Sequence, residues 1–516
     1  MMRWLKRLGL AALVLVAALA ATWFAIGGRE GFILIYASYM KPTPEANRAV
    51  VWDKGPDAPP PSGERKRPNI VVILADDLGF NDVSFYGGGT AGGVVKTPNI
   101  DSIGRDGVNF PAGYAGNATC APSRAALMTG RYATRFGYEF TPTALGFQRL
   151  VGGHQGASPY PPIYHAEREA EVPDFRELGI PAGEVTIAAM LQKAGYHTVH
   201  LGKWHLGENE AQRPDKRGFD ESLGFYAGAS MFLREDDPDA VNSKQDFDPI
   251  DKFLWAALPW GVRYNSGPMF EPKGHMTDYL TDQAVEVIRA NRNRPFFLYL
   301  AYNAPHTPLQ ATKEDYDALP QIGDHTLRVY AAMIRQLDRG VGRVLAELKA
   351  QGLDGDTLVI FTSDNGGAHY VGLDDLNKPY SGWKATFYEG GIRVPFFMRW
   401  PGVIPAGATY AAPISHFDIF ATAAGAAGAA VPTDRQIDGV DLTPFLTGAA
   451  SGEPHHVLFW RSGPYVVVRA GDWKLQVEDT SRLVALYDLA ADPSEKTNLA
   501  AANPDKAAEL QALIAG

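Results

Sequence analysis

The sequence predicts an α/β fold: a large, mostly parallel sheet flanked by helices on both faces, plus a smaller C-terminal antiparallel sheet with a helix. Three observations carry this. First, four short apolar runs rich in β-branched and aromatic residues, 70–74, 197–201, 295–300 and 357–362, read as buried strands. Second, the last three each follow a stretch with helical periodicity, at 185–194, 277–290 and 327–349. Helix–strand alternation of this kind builds a parallel sheet covered on both sides. Third, beyond about residue 431 the pattern changes to short strands separated by turns, at 456–460, 465–469 and 473–477, and ends in a helical stretch.

The chain opens with Arg3, Lys6 and Arg7 ahead of an apolar run at 8–26. As a helix that run is about long enough to span a bilayer, and its basic flank predicts that the remainder is exported to the periplasmic or extracellular side. Ala18-Leu19-Ala20 offers a signal-peptide cleavage site as the alternative; the length of the run favours an uncleaved membrane anchor. A second apolar patch, 32–39, reads as lying at the membrane surface. Residues 1–27 are therefore expected to be an anchor or signal segment. Residues 28–67, with Pro59-Pro60-Pro61, read as a stiff Pro-rich tether. The large domain is expected over 68–440 and the C-terminal subdomain over 441–516.

Each buried run ends in polar residues: Asp76-Asp77 after the first, Lys203-Trp204-His205 after the second, Ala304-Pro305-His306 after the third, and Asp364-Asn365-Gly366-Gly367 after the fourth. Open α/β sheets bind ligands beyond the carboxyl ends of their strands, so four such ends predict one shared site. Two stretches, 140–181 and 208–275, read as loop-rich insertions. The aromatics of the second, Trp255, Trp260 and Tyr264, either shape a pocket or pack a satellite core.

The formal net charge of -10 argues against nonspecific nucleic-acid binding, which relies on basic surface. An anion site here must be a local cluster of cations. Cys120 is the only cysteine in 516 residues, so it is either inert filler or a reactive centre. Pro122 suits a first helical turn and Gly130 a helix end, which puts the thiol at a helix start, where unpaired N–H groups favour the thiolate. Asp76, Asp77, Asp364 and Asn365 offer only oxygen ligands, the donor set of a hard cation, although either residue of the Asp76-Asp77 pair could equally cap a helix. No Cys/His cluster has zinc spacing.

Cys120-Ala121-Pro122-Ser123-Arg124, followed by Thr129-Gly130-Arg131, resembles the signature of the type I sulfatases of the alkaline phosphatase superfamily. The resemblance runs from about Pro68 to the C-terminus and includes Ser381-Gly382-Trp383-Lys384, Glu389-Gly390-Gly391 and Leu486-Tyr487-Asp488-Leu489. It implies a sulfate-ester hydrolase in which a separate maturation enzyme oxidises Cys120 to formylglycine. The hydrated aldehyde attacks sulfur with one hydroxyl, and the other expels sulfate. It implies a Ca²⁺ ion, with Mg²⁺ or Mn²⁺ as alternatives, on Asp76, Asp77, the modified Cys120, Asp364 and Asn365. It makes Arg124, Lys203 and Lys384 the cations facing the sulfate. His306 becomes the group that protonates the leaving oxygen, and His205 the base at the second hydroxyl. Arg131 reads as a structural support. His369 and His416 receive no role, and no firm motif surrounds Ser230.

The expected substrate is a small-molecule or carbohydrate sulfate ester, as for arylsulfatases and sugar sulfatases. A phosphonate monoester or phosphodiester hydrolase would use the same modified cysteine and is the alternative. A two-zinc phosphatase of this superfold would be expected to carry His where Asn365 stands. A non-catalytic binder on the scaffold has no need of both histidines and a modifiable cysteine.

Overall fold

The strand Asn69–Ala75 is buried at every residue, as its unbroken apolar run requires. In the computed structural model, which describes residues 2–59, 67–152, 164–479 and 482–515, this strand pairs in parallel with Thr357–Ser363 on one side and Phe296–Ala301 on the other. Phe296–Ala301 pairs in parallel with His197–Lys203, which pairs in parallel with Glu221–Phe225. These five strands are the centre of a ten-stranded sheet. Antiparallel pairing begins at the margins, where Phe396–Arg399 joins Thr357–Ser363 and Val262–Tyr264 joins Glu221–Phe225.

Alternation along the strands divides the interior into two cores. Val71 and Ile73 meet Leu280, Val287, Ile334 and Leu337 from the helices Met276–Ala290 and His325–Ala350. Ile70, Val72 and Leu74 meet Leu127, Leu191 and Phe420 from the helices Cys120–Thr129, Ile187–Lys193 and Asp418–Ala427. Truncating any of these leucines to alanine costs about 2–5 kcal/mol. The C-terminal sheet has four antiparallel strands, Val457–Ser462, Tyr465–Ala470, Trp473–Glu478 and Leu483–Asp488. Its Val468, Leu475 and Leu486 pack on Ala507 and Leu510 of the helix Pro504–Ala515.

Three sequence expectations need correction. The stretch 208–275 is not mainly loop: it contributes Glu221–Phe225, Val262–Tyr264 and Met269–Phe270 to the large sheet, and a helix, Pro249–Ala257. Glu221-Ser222-Leu223-Gly224-Phe225 carries no β-branched residue, so it has no strand signature of its own and takes its conformation from the neighbouring strand. Trp255 packs with Ala229, Met231 and Leu258 in a satellite core.

The stretch 41–59 is no free tether. Trp52 is 6% exposed, donates to Gln283 Oε1 at 3.0 Å and packs edge-on against Tyr264. Glu45 bridges to Phe270 at the sheet margin. Burial of one large aromatic side chain offsets part of the entropy that the strap loses on ordering. Pro60 and Pro61 lie outside the described residues, as does 153–163 of the first insertion, whose flank forms the helix Leu145–Gly152.

The N-terminal run is helical over Met2–Ala25, and the patch at 32–39 belongs to a second helix, Gly28–Met40. Gly27, at φ 83°, turns the chain between them. Among the described residues no single helix is long and apolar enough to cross a membrane. The segments Val14–Ala25 and Gly28–Met40, bent by 77°, meet that requirement only together, by length and composition.

Candidate active site

In-register pairing sets Ala75 opposite Ser363, so the next residues of the two strands, Asp76 and Asp364, emerge side by side. Asp364 N–H donates to Ala75 O at 3.1 Å, and Asp77 N–H donates to Asp364 Oδ1 at 3.2 Å. Lys203 ends the strand two places further across the sheet, and its ammonium lies 2.7 and 2.8 Å from the two oxygens of Asp76. His306 follows the strand between them.

Cys120 is the first residue of the helix Cys120–Thr129, which Gly130 ends in the left-handed conformation. Its Sγ lies 3.7 Å from Asp76 Oδ1 and 3.9 Å from Asp77 Oδ1. One turn on, Arg124 is wholly buried and donates through Nε to Asp364 Oδ2 at 2.8 Å, with Nη2 3.5 Å from Asp76. Lys384 arrives from the loop after Asn377 and sits 2.9 and 3.0 Å from the Asp77 oxygens. Three carboxylates thus face three fixed cations.

The expectation of a thiolate at Cys120 is corrected by this environment. Burial first, and then the Asp364 carboxylate, push the thiol up to about 12, and the helix start does not offset them. Burial also raises Asp76 to about 7, against the pull of Lys203. Burial would raise Asp77 too, but Lys384 and His306 hold it below the usual carboxylate value. His306 is pushed down to about 3 by burial and by Lys384, and His205 is lowered well below its ordinary value by burial and by Lys203. Neither histidine sits near the ordinary imidazole value from which the sequence reading started.

His205 takes a left-handed backbone conformation, φ 59°, and its Nδ1 is buried with no hydrogen-bond partner among the described residues. His306 Nδ1 lies 2.5 Å from the Thr307 carbonyl, while Nε2 is 3.1 Å from Lys384 Nζ. His416, which the sequence left without a role, lies beneath the Cys120 helix between Ser123 Oγ (3.1 Å) and Thr362 Oγ1 (3.2 Å). His369 stacks on Trp383, ring centroids 4.4 Å apart, at a cleft of about 230 Å³. Ser230 donates to the Pro259 carbonyl at 3.0 Å. Arg131 holds Glu184 at 2.6 Å, away from the carboxylate cluster.

The sequence reading missed Tyr370. Its hydroxyl lies 2.8 Å from Asp77 Oδ2, 2.9 Å from Lys384 Nζ and 3.3 Å from His306 Nε2. It comes from a short 3₁₀ turn, His369–Val371, in a segment without periodicity, so nothing local marked it.

The residues fit a hard cation. One ligand atom from each of Asp76, Asp77, Cys120 and His306 lies within 4.8 Å of the others. Asn365 donates through Nδ2 to Asp77 Oδ1 at 2.7 Å, yet its buried Oδ1 has no hydrogen-bond partner among the described residues. A buried amide oxygen left bare is costly unless something electropositive meets it, and oxygen donors suit Ca²⁺ or Mg²⁺.

Carboxylates and cations gathered at the carboxyl edge of a parallel sheet, around one buried sulfur, make this a hydrolase of tetrahedral anionic esters with the alkaline phosphatase superfamily architecture. The sulfatase family model matches residues 68–429, and the model described as N-sulphoglucosamine sulphohydrolase, C-terminal, matches 381–514. The N-acetylgalactosamine-6-sulfatase of Canis lupus familiaris is 33% identical over 427 residues, 80% of this chain and 72% of that one. The steryl-sulfatase of Homo sapiens is 32% identical over 461 residues, 78% and 73% of the two chains. The crystal structure of Ps i-CgsB superposes with a TM-score of 0.70 at 31% identity, covering 86% of this chain and 91% of the other. The phosphonate monoester hydrolase of Agrobacterium radiobacter, 21% identical with a TM-score of 0.58, shares the fold.

The chain belongs to the sulfatase family, as a type I sulfatase, and is a sulfuric ester hydrolase.

Proposed function

We propose that this sulfatase removes sulfate from a carbohydrate sulfate ester, with Cys120 converted to formylglycine and a divalent cation, Ca²⁺ ahead of Mg²⁺ or Mn²⁺, on Asp76, Asp77, residue 120, Asp364 and Asn365. The observation that carries this reading is the position of Cys120 Sγ, 3.7 Å from Asp76 at the head of its helix. When present, the converted side chain supplies a nucleophilic hydroxyl and the cation withdraws charge from a sulfate oxygen.

The chain's own groups do the rest. Arg124, Lys203 and Lys384 are fixed cations in a water-poor site, where each is worth far more than in solvent. His306 donates Nδ1–H to the Thr307 carbonyl, which leaves Nε2, 3.1 Å from Lys384 Nζ, as the atom that exchanges a proton with the leaving oxygen. His205, whose Nδ1 has no hydrogen-bond partner among the described residues, is the remaining base. Cys120 is only 2% exposed, so a maturation enzyme must meet it before the helix is buried.

A sugar substrate is favoured by two relatives: an N-acetylgalactosamine-6-sulfatase, and Ps i-CgsB, which was solved in complex with k-i-k-neocarrahexaose. The flat His369–Trp383 pair, next along the chain from Lys384, suits packing against a pyranose face. Export, with the helices Met2–Ala25 and Gly28–Met40 on the membrane, completes the proposal; exposed Phe24, Phe32, Ile35 and Tyr39 give an apolar surface for it.

The test is sulfate release from a panel of sulfated sugars, a steroid sulfate and an aryl sulfate, run beside an aryl phosphonate. The highest kcat/KM is expected on a sulfated sugar. A higher value on the phosphonate would overturn the reading in favour of the phosphonate hydrolase alternative.

A further inference from the structure

Three arginines gather beside the site. Arg213, in the loop after His205, and Arg263, on the margin strand Val262–Tyr264, both lie over the ring of Tyr226, with guanidinium carbons 5.6 and 5.9 Å from its centroid. That ring is fixed by its hydroxyl, which donates to the Asn265 carbonyl at 2.6 Å. Arg176 comes from the first insertion, which is fastened alongside: Gln212 Nε2 donates to the Glu177 carbonyl at 3.2 Å, and Ile180 N–H to the Leu206 carbonyl at 2.9 Å. Tyr226 borders the site. Its carbonyl accepts from His205 N–H at 3.1 Å, and a Cβ on Gly228, two residues on, would stand 2.8 Å from the His205 ring.

The charge in this patch is unbalanced. Within the site, Arg124, Lys203 and Lys384 each hold an aspartate. Arg176 lies over the Phe175 ring, Arg213 Nε donates to the Glu208 carbonyl at 3.2 Å, and Arg263 Nη1 donates to the Gly267 carbonyl at 3.0 Å; none of the three forms an ion pair among the described residues. Most N–H groups of these forks therefore remain for another partner. All three act through space on one carboxylate, Glu208, whose side chain pairs with none of them among the described residues. Asp215, the acid beside Tyr226, is engaged by the Ser266 hydroxyl at 2.7 and 2.9 Å and by Lys216 at 3.7 Å. Stacking on Tyr226 orients two guanidiniums without neutralising them. In a chain of net charge -10, cations left over in this way mark a place for an anion.

We propose that Arg176, Arg213 and Arg263 form a second anion subsite, which holds a further sulfate group on a neighbouring sugar of the same glycan while the first sulfate is released. The substrate class is then a multiply sulfated oligosaccharide rather than a singly sulfated sugar. This rests on the reading of a carbohydrate substrate. No bond forms or breaks at the subsite. It acts by affinity, so its effect falls on KM and is screened by salt.

The experiment uses matured, metal-loaded enzyme and two hexasaccharides of one backbone, one sulfated on every disaccharide and one sulfated only at the sugar whose sulfate is released. Wild type is expected to favour the first by about tenfold or more in kcat/KM per cleavable sulfate at low salt, through KM, and to lose most of that preference in about 0.5 M salt. Arg213→Gln and Arg263→Gln are each expected to shrink the preference about threefold, and the double variant to abolish it. Arg213→Lys, which keeps the charge but not the fork, is expected to retain part of it. A folding defect lowers both rates together and leaves their ratio untouched. If wild type shows no preference, or the double variant keeps it, the inference fails while the carbohydrate reading stands. If neither hexasaccharide is hydrolysed while an aryl or steroid sulfate is, that reading falls and the inference with it.

A second measurement needs no turnover. Calorimetry of the fully sulfated hexasaccharide on protein with Cys120 unconverted is expected to show a Kd about tenfold weaker, and less dependent on salt, in the double variant. An unchanged Kd overturns the proposal.

Discussion

Lys474, in the C-terminal sheet, places its ammonium 2.9 Å from Glu389 Oε1 and 2.9 Å from Glu495 Oε1, and all three side chains are buried. Glu389 lies five residues beyond Lys384. Its second oxygen accepts from the Tyr114 hydroxyl at 2.7 Å. The adjoining Gly391 carbonyl receives the N–H of Gly366, next to Asn365, at 3.0 Å. A Cβ on Gly366 would stand 1.8 Å from the Gly390 carbonyl oxygen, so only glycine fits that approach. The C-terminal sheet is thereby tied to both the Lys384 loop and the Asn365 turn. Lys474→Ala takes the ammonium from both buried carboxylates, leaving Glu389 with Arg393 at 3.2 Å, and is expected to cost about 3–5 kcal/mol. Denaturant melts check this, and Lys474→Arg is not expected to rescue it fully, because the guanidinium is larger and branched.

Asp82 gives a pH dependence of known sign. Its carboxyl is raised to about 7, first by burial, despite donors from Tyr330 and Gly79. The folded value lies above the ordinary 3.8, so the native state retains a proton that the unfolded chain has lost. This group's contribution to stability is thus complete below pH 3.8 and is lost as pH rises through about 7. Asp82→Asn, which mimics the neutral carboxyl, is expected to gain stability relative to wild type between pH 4 and pH 8, read as melting temperature across that range. A constant difference would contradict the shift.

Removing divalent metal is expected to lower both activity and melting temperature, with Ca²⁺ restoring both, since a ligand that binds only the folded state stabilises it. Asn365→Leu removes the amide oxygen that has no hydrogen-bond partner among the described residues. It is expected to weaken Ca²⁺ binding by about tenfold or more, measured by calorimetry.

Trp52→Ala tests whether residues 41–59 are a strap rather than a spacer. Loss of a side chain that is 6% exposed is expected to cost about 3–5 kcal/mol. A cost within about 0.5 kcal/mol, usual for surface positions, would return the segment to the role of a tether.

The site residues legible in the sequence share one property: each ends an apolar run or belongs to a dense motif. Asp76, Lys203, His306 and Asp364 follow buried strands whose period and composition announce them, and sheet order then brings them together. Tyr370 follows no strand and fits no periodicity. Only the fold of the segment from Gly366 to Lys384 carries it to Asp77. The strand Glu221–Phe225 is hidden because only Phe225 among its residues favours a strand, and Trp52 because a Pro-rich neighbourhood masks one anchoring aromatic. The ionisation of Cys120 was misjudged because a helix start is a local, weak field, whereas burial among Asp76, Asp77 and Asp364 depends on three distant parts of the chain.

Mass spectrometry of the tryptic peptide containing Cys120, taken from fully active protein, tests most directly whether this sulfur is the precursor of the nucleophile. The peptide is expected to carry an aldehyde in place of the thiol and to react with a hydrazide probe. An intact, alkylatable thiol throughout a fully active preparation would contradict it.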